Sequence, residues 1–194
     1  MAEEIEAKIL DVDVLQLEKE LKKIGAKKIG AVLFRSTSFD FPGWPLDKES
    51  SWVRLRTDGK TAMLAYKRRL GVTGEFGKDA GMDEIEVETD SFDTTASFLR
   101  AIGMVEKFSQ EKKRTSWRKG EVQFDIDTYP RIPTYLEIEA PTWQDINDHI
   151  ALLDLPAEKK CVCSATQVYK MYGINDKEYI KMTFDEFVLR SVES

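Results

Sequence analysis

The sequence has little cysteine, almost no histidine, no long apolar run and no excess of positive charge. Its 194 residues include two cysteines and one histidine, His149. The net charge of -6 at neutral pH argues against general affinity for nucleic acids or anionic membranes, so any basic site has to be local. No stretch approaches the length that spans a bilayer, and the N-terminus has no apolar run for export. These features predict a cytoplasmic protein with neither a nucleic acid nor a membrane as partner.

The two cysteines, Cys161 and Cys163, are separated by one residue. This spacing fits neither a zinc knuckle nor a thioredoxin-like pair, and a disulfide between residues i and i+2 would be strained. We therefore predict two reduced thiols. The single histidine lies at helical spacing with Ile146, Ile150 and Leu153, where we expect it to pack rather than to catalyse.

The composition is that of a folded protein, with 42% hydrophobic and 10% aromatic residues. Without a long linker or low-complexity segment, a single domain over residues 1–194 is the better interpretation. Helix caps and turn residues predict an α+β fold with a mostly antiparallel sheet and helices attached to it. C-terminal helices are expected over about 142–190, the last of them beginning at Thr183. Eight strands are predicted, at about residues 2–10, 29–41, 51–58, 61–70, 82–89, 105–119, 121–128 and 134–140.

Charged side chains recur on one face of most of these strands, because side chains alternate between the two faces of a strand. In the stretch EIEAKI, for example, Glu4, Glu6 and Lys8 lie opposite Ile5 and Ile9. The same alternation places basic residues together on some strands and acidic residues together on others. The basic sets are Arg54/Arg56, Lys67/Arg69 and Lys112/Arg114/Arg118, and the acidic sets are Glu84/Glu86/Glu88, Asp125/Asp127 and Glu137/Glu139.

Two explanations compete for this charged face. An open antiparallel sheet with one wet face would show a mixture of polar residues there, including Ser, Thr and Gln. A closed eight-stranded barrel would instead turn the charges into a lumen that can hold a small ligand. Like charges about 5 Å apart repel by roughly 3 kcal/mol at an effective dielectric constant near 20. Because the face is nearly all acids and bases, a lumen completed by a charged ligand and metal ions is favoured.

The sign of the charges indicates the chemistry. Clustered Arg and Lys side chains suit a dense polyanion such as a phosphate chain. Grouped carboxylates suit hard divalent cations, and magnesium commonly joins a few carboxylates to substrate phosphates. The sequence has no Walker-type glycine loop, so backbone amides at a helix end are not expected to bind the phosphates.

These residues resemble those of a known family. EIEAK at residues 4–8 is similar to the N-terminal ExExK signature of the CYTH superfamily, the triphosphate tunnel metalloenzymes. The resemblance covers about residues 2–173 and implies a closed eight-stranded antiparallel β-barrel, a tunnel with strands over about 2–140 and helices outside. The further matching segments, in the same order and spacing, are VRLR at 53–56, AYK ending at Lys67, EIEVE at 84–88, EKKR at 111–114, and Asp127 followed ten residues later by LEIE.

The resemblance also implies roles for the charged residues, with Mg²⁺ or Mn²⁺ as cofactor and a small-molecule triphosphate as substrate. The implied metal ligands are Glu4, Glu6, Glu84, Glu86, Asp127, Glu137 and Glu139. The implied phosphate-binding residues are Lys8, Arg54, Arg56, Lys67, Lys112 and Arg114. The catalytic candidates are Glu6, Lys8, Asp127 and Glu139, and which carboxylate acts as base is left open.

Three functions fit this pattern. The first is metal-dependent hydrolysis of inorganic triphosphate or of an organic triphosphate such as thiamine triphosphate. The second is a class IV adenylate cyclase, which converts ATP to cyclic AMP and pyrophosphate. The third is a module that binds a triphosphate without turning it over, although pure anion binding would gain nothing from so many carboxylates. A monomer or a homodimer is expected in each case.

Overall fold

The computed structural model describes residues 5–70, 72–73, 78–79 and 82–191. The helices in this part of the chain are α1 (Val14–Lys23), α2 (Pro45–Lys48), α3 (Phe92–Ala101), α4 (Trp143–Leu152) and α5 (Ala165–Met171). The strands are β1 (Ile5–Ile9), β2 (Lys27–Asp40), β3 (Ser51–Thr57), β4 (Ala62–Arg69), β5 (Val72–Thr73), β6 (Lys78–Asp79), β7 (Met82–Thr89), β8 (Val105–Lys119), β9 (Val122–Thr128), β10 (Tyr135–Ala140), β11 (Lys160–Cys161), β12 (Tyr179–Met182) and β13 (Phe187–Leu189).

The eight strands predicted from the sequence are confirmed, as β1 to β4 and β7 to β10. Their ends are set by turn residues. Between β3 and β4, Gly59 has a φ of +87°, and the Asp58 carboxylate accepts hydrogen bonds from the backbone amides of Lys60 and Thr61 at 2.8 Å each. Glycine adopts this left-handed conformation at no steric cost, so the four residues 58–61 connect the paired residues Thr57 and Ala62 in a tight hairpin turn.

The chain divides into two compact units. Unit 1 comprises Met1–Leu33 and Lys112–Glu178, and unit 2 comprises Phe34–Glu111 and Tyr179–Ser194. The long strands β2 and β8 each contribute residues to both units. The single domain expected over residues 1–194 stays a prediction.

Unit 1 is built on the strand order β11-β1-β10-β9-β8. The apolar faces of its strands pack with α1 and α4, whose apolar residues recur at helical spacing. Helix α1 begins where the Asp13 carboxylate accepts a 3.0 Å hydrogen bond from the Gln16 amide. The buried core includes Ala7, Ile9, Leu17, Leu21, Phe124, Ile126, Leu136, Ile138, Ile146 and Ile150. The opposite face of β1, β10, β9 and β8 carries the charged residues.

Unit 2 contains the strand order β8-β2-β3-β4-β7, and α3 packs on β3 and β4. A cluster of buried apolar residues in this unit comprises Phe39, Leu55, Ala62, Ala96, Leu99 and Met104. The β12–β13 hairpin adds to the same sheet through a parallel pairing of Lys181 with Ser109 in β8.

The predicted closed eight-stranded barrel is wrong. In the described residues the main sheet has eleven strands and is not closed by hydrogen bonds, although the α+β class and the mostly antiparallel pairing are confirmed. One reason is that β11 pairs with β1, with Lys8 opposite Cys161 and Ile9 opposite Lys160. Strand β11 therefore occupies the edge of β1 with which another strand would have to pair to close the barrel. A second, two-stranded sheet is formed by β5 and β6.

The C-terminal residues are less helical than predicted. Residues 143–152 and 165–171 are helical, but the expected helix at Thr183 is replaced by a turn between β12 and β13, in which the Thr183 amide donates to the Glu186 carbonyl. Arg190 follows this hairpin, lies 5.9 Å from the centroid of the Trp44 ring and donates a 3.1 Å hydrogen bond to the Lys107 carbonyl. The hairpin and Arg190 are thus held against other residues of unit 2.

Two further sequence predictions have different outcomes. The Cys161 and Cys163 side chains are joined in a disulfide, so the prediction of two free thiols is wrong. Their Cα atoms are 5.5 Å apart, a separation that a disulfide can span. The packed histidine is confirmed, since His149 Nδ1 lies 2.8 Å from the Asp145 carbonyl oxygen and its ring contacts Phe124 edge-on.

No described helix has both the length and the hydropathy needed to cross a membrane.

Candidate functional site

Strand register brings the charged residues of unit 1 into rows. Lys8 of β1 pairs with Glu137 of β10, and Glu137 pairs with Asp125 of β9. In the neighbouring position Asp127 pairs with Arg114 of β8. Because directly opposed side chains in a sheet lie about 5 Å apart, this register places acids beside bases on four adjacent strands.

Arg114 lies at the centre of this arrangement. Its Nη2 is 2.6 Å from Asp127 Oδ2 and 2.8 Å from Glu137 Oε1, while its Nη1 is 2.7 Å from Asp125 Oδ2. Its Nε donates a further hydrogen bond of 2.6 Å to Asp127 Oδ1. Burial would lower the pKa of Arg114, but hydrogen bonding to Asp127 and the charges of the three carboxylates raise it above its ordinary value. The guanidinium group is therefore a fixed positive charge.

Lys8 joins two carboxylates at the other side of the cluster. Its Nζ is 2.8 Å from Glu6 Oε1 and 2.9 Å from Glu137 Oε2. Burial alone would lower the pKa of Lys8, but the charges of Glu137 and Glu6 outweigh it and raise the pKa. The Lys8 side chain is 4% exposed and that of Glu6 is 49% exposed, so the cluster opens to solvent at Glu6.

Lys112 approaches Asp127 from a different direction. Its Nζ is 2.9 Å from Asp127 Oδ2 and 5.6 Å from the centroid of the Tyr129 ring. Burial is the main cause that lowers the pKa of Lys112, and the charge of Arg114 lowers it further, against the opposing effect of Asp127. Asp127 itself is fully buried and contacts both cations.

Unit 2 has charged residues of its own on β3, β4 and β7. Lys67 Nζ is 2.5 Å from Glu84 Oε1, and Arg54 Nη2 is 3.4 Å from both Glu84 Oε1 and Glu86 Oε1. The register places Ala65 between Arg54 and Glu86, and this small residue leaves room for the two charged side chains to meet. Burial lowers the pKa of Lys67 and, together with the nearby charge of Arg56, that of Arg54.

The pKa values of the two acids of this cluster are shifted in opposite directions. A hydrogen bond with Glu84 raises the pKa of Glu86. Burial would raise the pKa of Glu84, but hydrogen bonds with Glu86 and Lys67 lower it. Arg56 differs from its neighbours, because it lies 5.1 Å from the centroid of the Phe34 ring and forms no ion pair with the described side chains.

The predicted site residues are therefore divided between the two units. Unit 1 brings together Glu6, Lys8, Lys112, Arg114, Asp127 and Glu137, and it places Glu139 opposite Glu6 in the register of β1 and β10. Unit 2 brings together Arg54, Lys67, Glu84 and Glu86, with Arg56 on the same face of β3. Glu4 lies outside the described residues.

Comparison with known proteins identifies the family. The model of the CYTH domain matches residues 2–154. This chain belongs to the CYTH family. The prediction made from the ExExK-like stretch and the later charged segments is confirmed. The match ends after α4, so that β11, α5 and the β12–β13 hairpin lie beyond the CYTH match.

Solved structures share this fold at low sequence identity. The PH1012 protein of Pyrococcus horikoshii OT3 has a TM-score of 0.64 and 19% identity, over 86% of this chain and 99% of its own. A proposed adenylate cyclase of Vibrio parahaemolyticus has a TM-score of 0.63 and 13% identity, over 86% and 97% of the two chains. HpAC1 of Hippeastrum, a proposed adenylyl cyclase with a dominant triphosphatase activity, has a TM-score of 0.62 and 16% identity, over 87% and 95%. No functionally curated protein matches the sequence significantly.

Several residues of this CYTH chain contact the unit 1 cluster although the sequence analysis assigned them no role in a site; of these, Asp125 was placed only on the charged face. Asp125 accepts a hydrogen bond from Ser116 Oγ at 2.5 Å and another from Gln123 Nε2 at 2.9 Å, besides its ion pair with Arg114. Tyr129 contacts Lys112 through its ring. Strand alternation could have identified Asp125 and Tyr129 as neighbours of the site, because residues 125, 127 and 129 lie on the same face of this chain segment.

The carboxylates of this CYTH chain fit the hard divalent cations that the family is generally expected to use. They offer only oxygen donors, which Mg²⁺ and Mn²⁺ prefer, and the Asp127 and Glu137 carboxylates approach one nitrogen of Arg114. Among the described residues no three such side chains are already arranged around a common metal position. Magnesium typically takes one or two protein carboxylates and completes its shell with substrate phosphates and water, so the donor set suits such a shared site.

The ion pairs of Glu137 make a pH-dependent contribution to the stability of the CYTH fold. Burial would raise the pKa of Glu137, but the charges of Lys8 and Arg114 lower it below the ordinary value of about 4.3. The unfolded chain then binds a proton more readily than the folded one, so this stabilisation is present above about pH 4.3 and is lost as the pH falls through the folded pKa.

We expect the free energy of unfolding to rise with pH below about pH 4.3, and to rise less steeply in Glu137→Gln, which has no such proton to release. Urea unfolding at several pH values measures both slopes. Equal slopes in the variant and the wild type would show that the ion pairs of Glu137 do not stabilise the folded state.

Proposed function

We propose that this protein is a Mg²⁺- or Mn²⁺-dependent enzyme that hydrolyses a triphosphate, either inorganic triphosphate or an organic one. The observation that carries this proposal is the unit 1 cluster, in which Lys8, Lys112 and Arg114 face carboxylates that could release them to a ligand. Membership of the CYTH family supports an activity on triphosphates. The dominant triphosphatase activity of HpAC1, which shares the fold, favours hydrolysis.

The three basic side chains supply the phosphate-binding groups. Arg114 presents a planar set of N–H donors that matches two oxygens of a phosphate, while Lys8 and Lys112 act as point charges on either side of it. A triphosphate would replace some of the carboxylate contacts that these cations now make. Held in this way, its phosphoryl group is aligned for in-line attack, and the negative charge that develops on its oxygens is stabilised.

The acids supply the remaining groups. Asp127 and Glu137, together with Glu6 and Glu139, would hold the metal ion. When bound, such an ion polarises a phosphoryl oxygen and lowers the pKa of a coordinated water. Glu6 is half exposed whereas Asp127 is fully buried, so Glu6 is the better placed of the two to accept a proton from water and return it to solvent.

A single experiment distinguishes the proposed hydrolase from an adenylate cyclase and from a non-catalytic binding module. The purified protein is incubated with Mg²⁺ or Mn²⁺ and, separately, with inorganic triphosphate, ATP and thiamine triphosphate. Orthophosphate, pyrophosphate and cyclic AMP are quantified. Orthophosphate release that is lost in a Glu4→Gln/Glu6→Gln variant, but kept in Glu121→Gln on an exposed turn, is the expected result.

The contrary outcomes are equally specific. Cyclic AMP with pyrophosphate from ATP would replace the hydrolase with a cyclase. Metal-dependent binding without any product from the three substrates would overturn the enzyme and leave a binding module.

A further inference from the structure

Three tyrosines form a buried cluster beside the charged residues of unit 1. The Tyr129 and Tyr135 rings are stacked with centroids 5.9 Å apart, and the Tyr169 ring meets Tyr129 edge-on at 6.0 Å. All three are at least nine-tenths buried. Tyr129 directly follows β9 and Tyr135 begins β10, whereas Tyr169 comes from α5, which lies outside the CYTH match.

The Tyr129 ring also contacts the charged cluster, through Lys112. Lys112 Nζ lies 5.6 Å from the ring centroid and 2.9 Å from Asp127 Oδ2, so the ammonium group is held between an aromatic face and a carboxylate. A cation over an aromatic face is attracted by the ring quadrupole, more strongly when it is shielded from water. A lysine side chain has four rotatable bonds, and these two contacts select one direction for it.

Helix α5 fixes the ring from behind. The Tyr169 hydroxyl donates a 3.2 Å hydrogen bond to the carbonyl oxygen of Pro130, the residue after Tyr129. The helix itself begins with a capping box, in which Ser164 and Gln167 satisfy each other's backbone amides. The contact chain therefore runs from α5 through Tyr169 and Tyr129 to Lys112, and each link is a direct contact.

We propose that Tyr129 is a positioning residue for Lys112, and that Tyr169 of α5 holds Tyr129 in place, so that this segment beyond the CYTH match is a working part of the phosphate site. This proposal rests on the proposed function for the role of Lys112 as a phosphate-binding group. The contact between Tyr129 and Lys112 can be tested without it.

The first test uses nuclear magnetic resonance on the intact protein. The methylene protons next to the Lys112 ammonium group should resonate upfield of those of exposed lysines, because the ammonium nitrogen lies over the Tyr129 ring. The shift should persist in Tyr129→Phe, which keeps the ring, and disappear in Tyr129→Leu. A normal shift in the wild-type protein overturns the proposal without the need for any variant to fold.

The second test uses kinetics with inorganic triphosphate and Mg²⁺. Tyr129→Leu should raise KM about tenfold, the loss expected for a partly desolvated cation–aromatic contact, with a smaller change in kcat. Tyr169→Leu should also raise KM, whereas Tyr129→Phe, which keeps the ring, should have the same KM as the wild-type protein. Leu153→Ala, a buried change in the apolar core, serves as the control for a loss of stability alone.

The outcomes separate the two proposals. An upfield Lys112 shift in a protein that processes no triphosphate would keep the positioning role and remove the proposed function. Active protein in which Tyr129→Leu and Leu153→Ala raise KM equally would overturn the positioning role and keep the function.

Discussion

Replacement of Arg114 by methionine is expected to lower the turnover of inorganic triphosphate by at least about 100-fold, the usual loss when a charge-stabilising donor is removed from an active site. Arg114 is the one side chain that contacts Asp125, Asp127 and Glu137 together in the described structure. The uncharged methionine would also remove the positive charge that offsets the repulsion among these three carboxylates. Since Asp127 is fully buried, the folded state should lose about 3–5 kcal/mol.

Arg114→Lys separates charge from geometry. Lysine keeps the positive charge but cannot direct several donors in one plane at three carboxylates, so we expect the variant to recover more stability than turnover. Lys113→Met, at the next position of β8 with an exposed side chain, is the matched control and should behave like the wild type. Turnover in Arg114→Met within a few-fold of the wild type would contradict the role assigned to the guanidinium group.

Asp127→Asn is expected to have the second largest effect. Asparagine has nearly the same shape but no charge, so Lys112 and Arg114 lose the anion that they share. A buried ion pair broken in this way typically costs about 3–5 kcal/mol. If Asp127 also holds the metal ion, the concentration of Mg²⁺ that gives half-maximal turnover should rise by at least about tenfold, the lower end of the change expected on loss of such a group.

The comparison of metal titrations distinguishes the two variants. Arg114→Lys should raise KM for triphosphate with little change in the Mg²⁺ requirement, whereas Asp127→Asn should change the Mg²⁺ requirement. Asp148→Asn, on an exposed position of α4, is the control for loss of one carboxylate. An unchanged Mg²⁺ requirement in Asp127→Asn would remove this residue from the set of metal ligands.

Much of the unit 1 site could be predicted from the sequence because it depends on strand periodicity. Alternation in β1, β9 and β10 placed Lys8, Asp127 and Glu137 on a charged face. In the structure Lys8 contacts Glu137, and Arg114 contacts both Glu137 and Asp127. The partners themselves could not be predicted. Which acid meets which base depends on strand register, and register is set by pairing between distant segments.

Other features had no signal of this kind. Strand β11 is two residues long, too short for any periodic pattern, yet its pairing with β1 contradicts a closed barrel. Tyr169 meets Tyr129 across forty residues of chain, and a helix of seven residues does not reveal which strand it will pack against. The disulfide between Cys161 and Cys163 likewise depends on local backbone geometry rather than on composition.

The phosphorus NMR spectrum of inorganic triphosphate, recorded with the protein and Mg²⁺, tests the central claim most directly. The account predicts that wild-type protein shifts and broadens the triphosphate signals and that signals of pyrophosphate and orthophosphate then appear. With Arg114→Met, both changes should be lost, while Lys113→Met should act like the wild type. A triphosphate spectrum left unchanged by the wild-type protein would contradict the account.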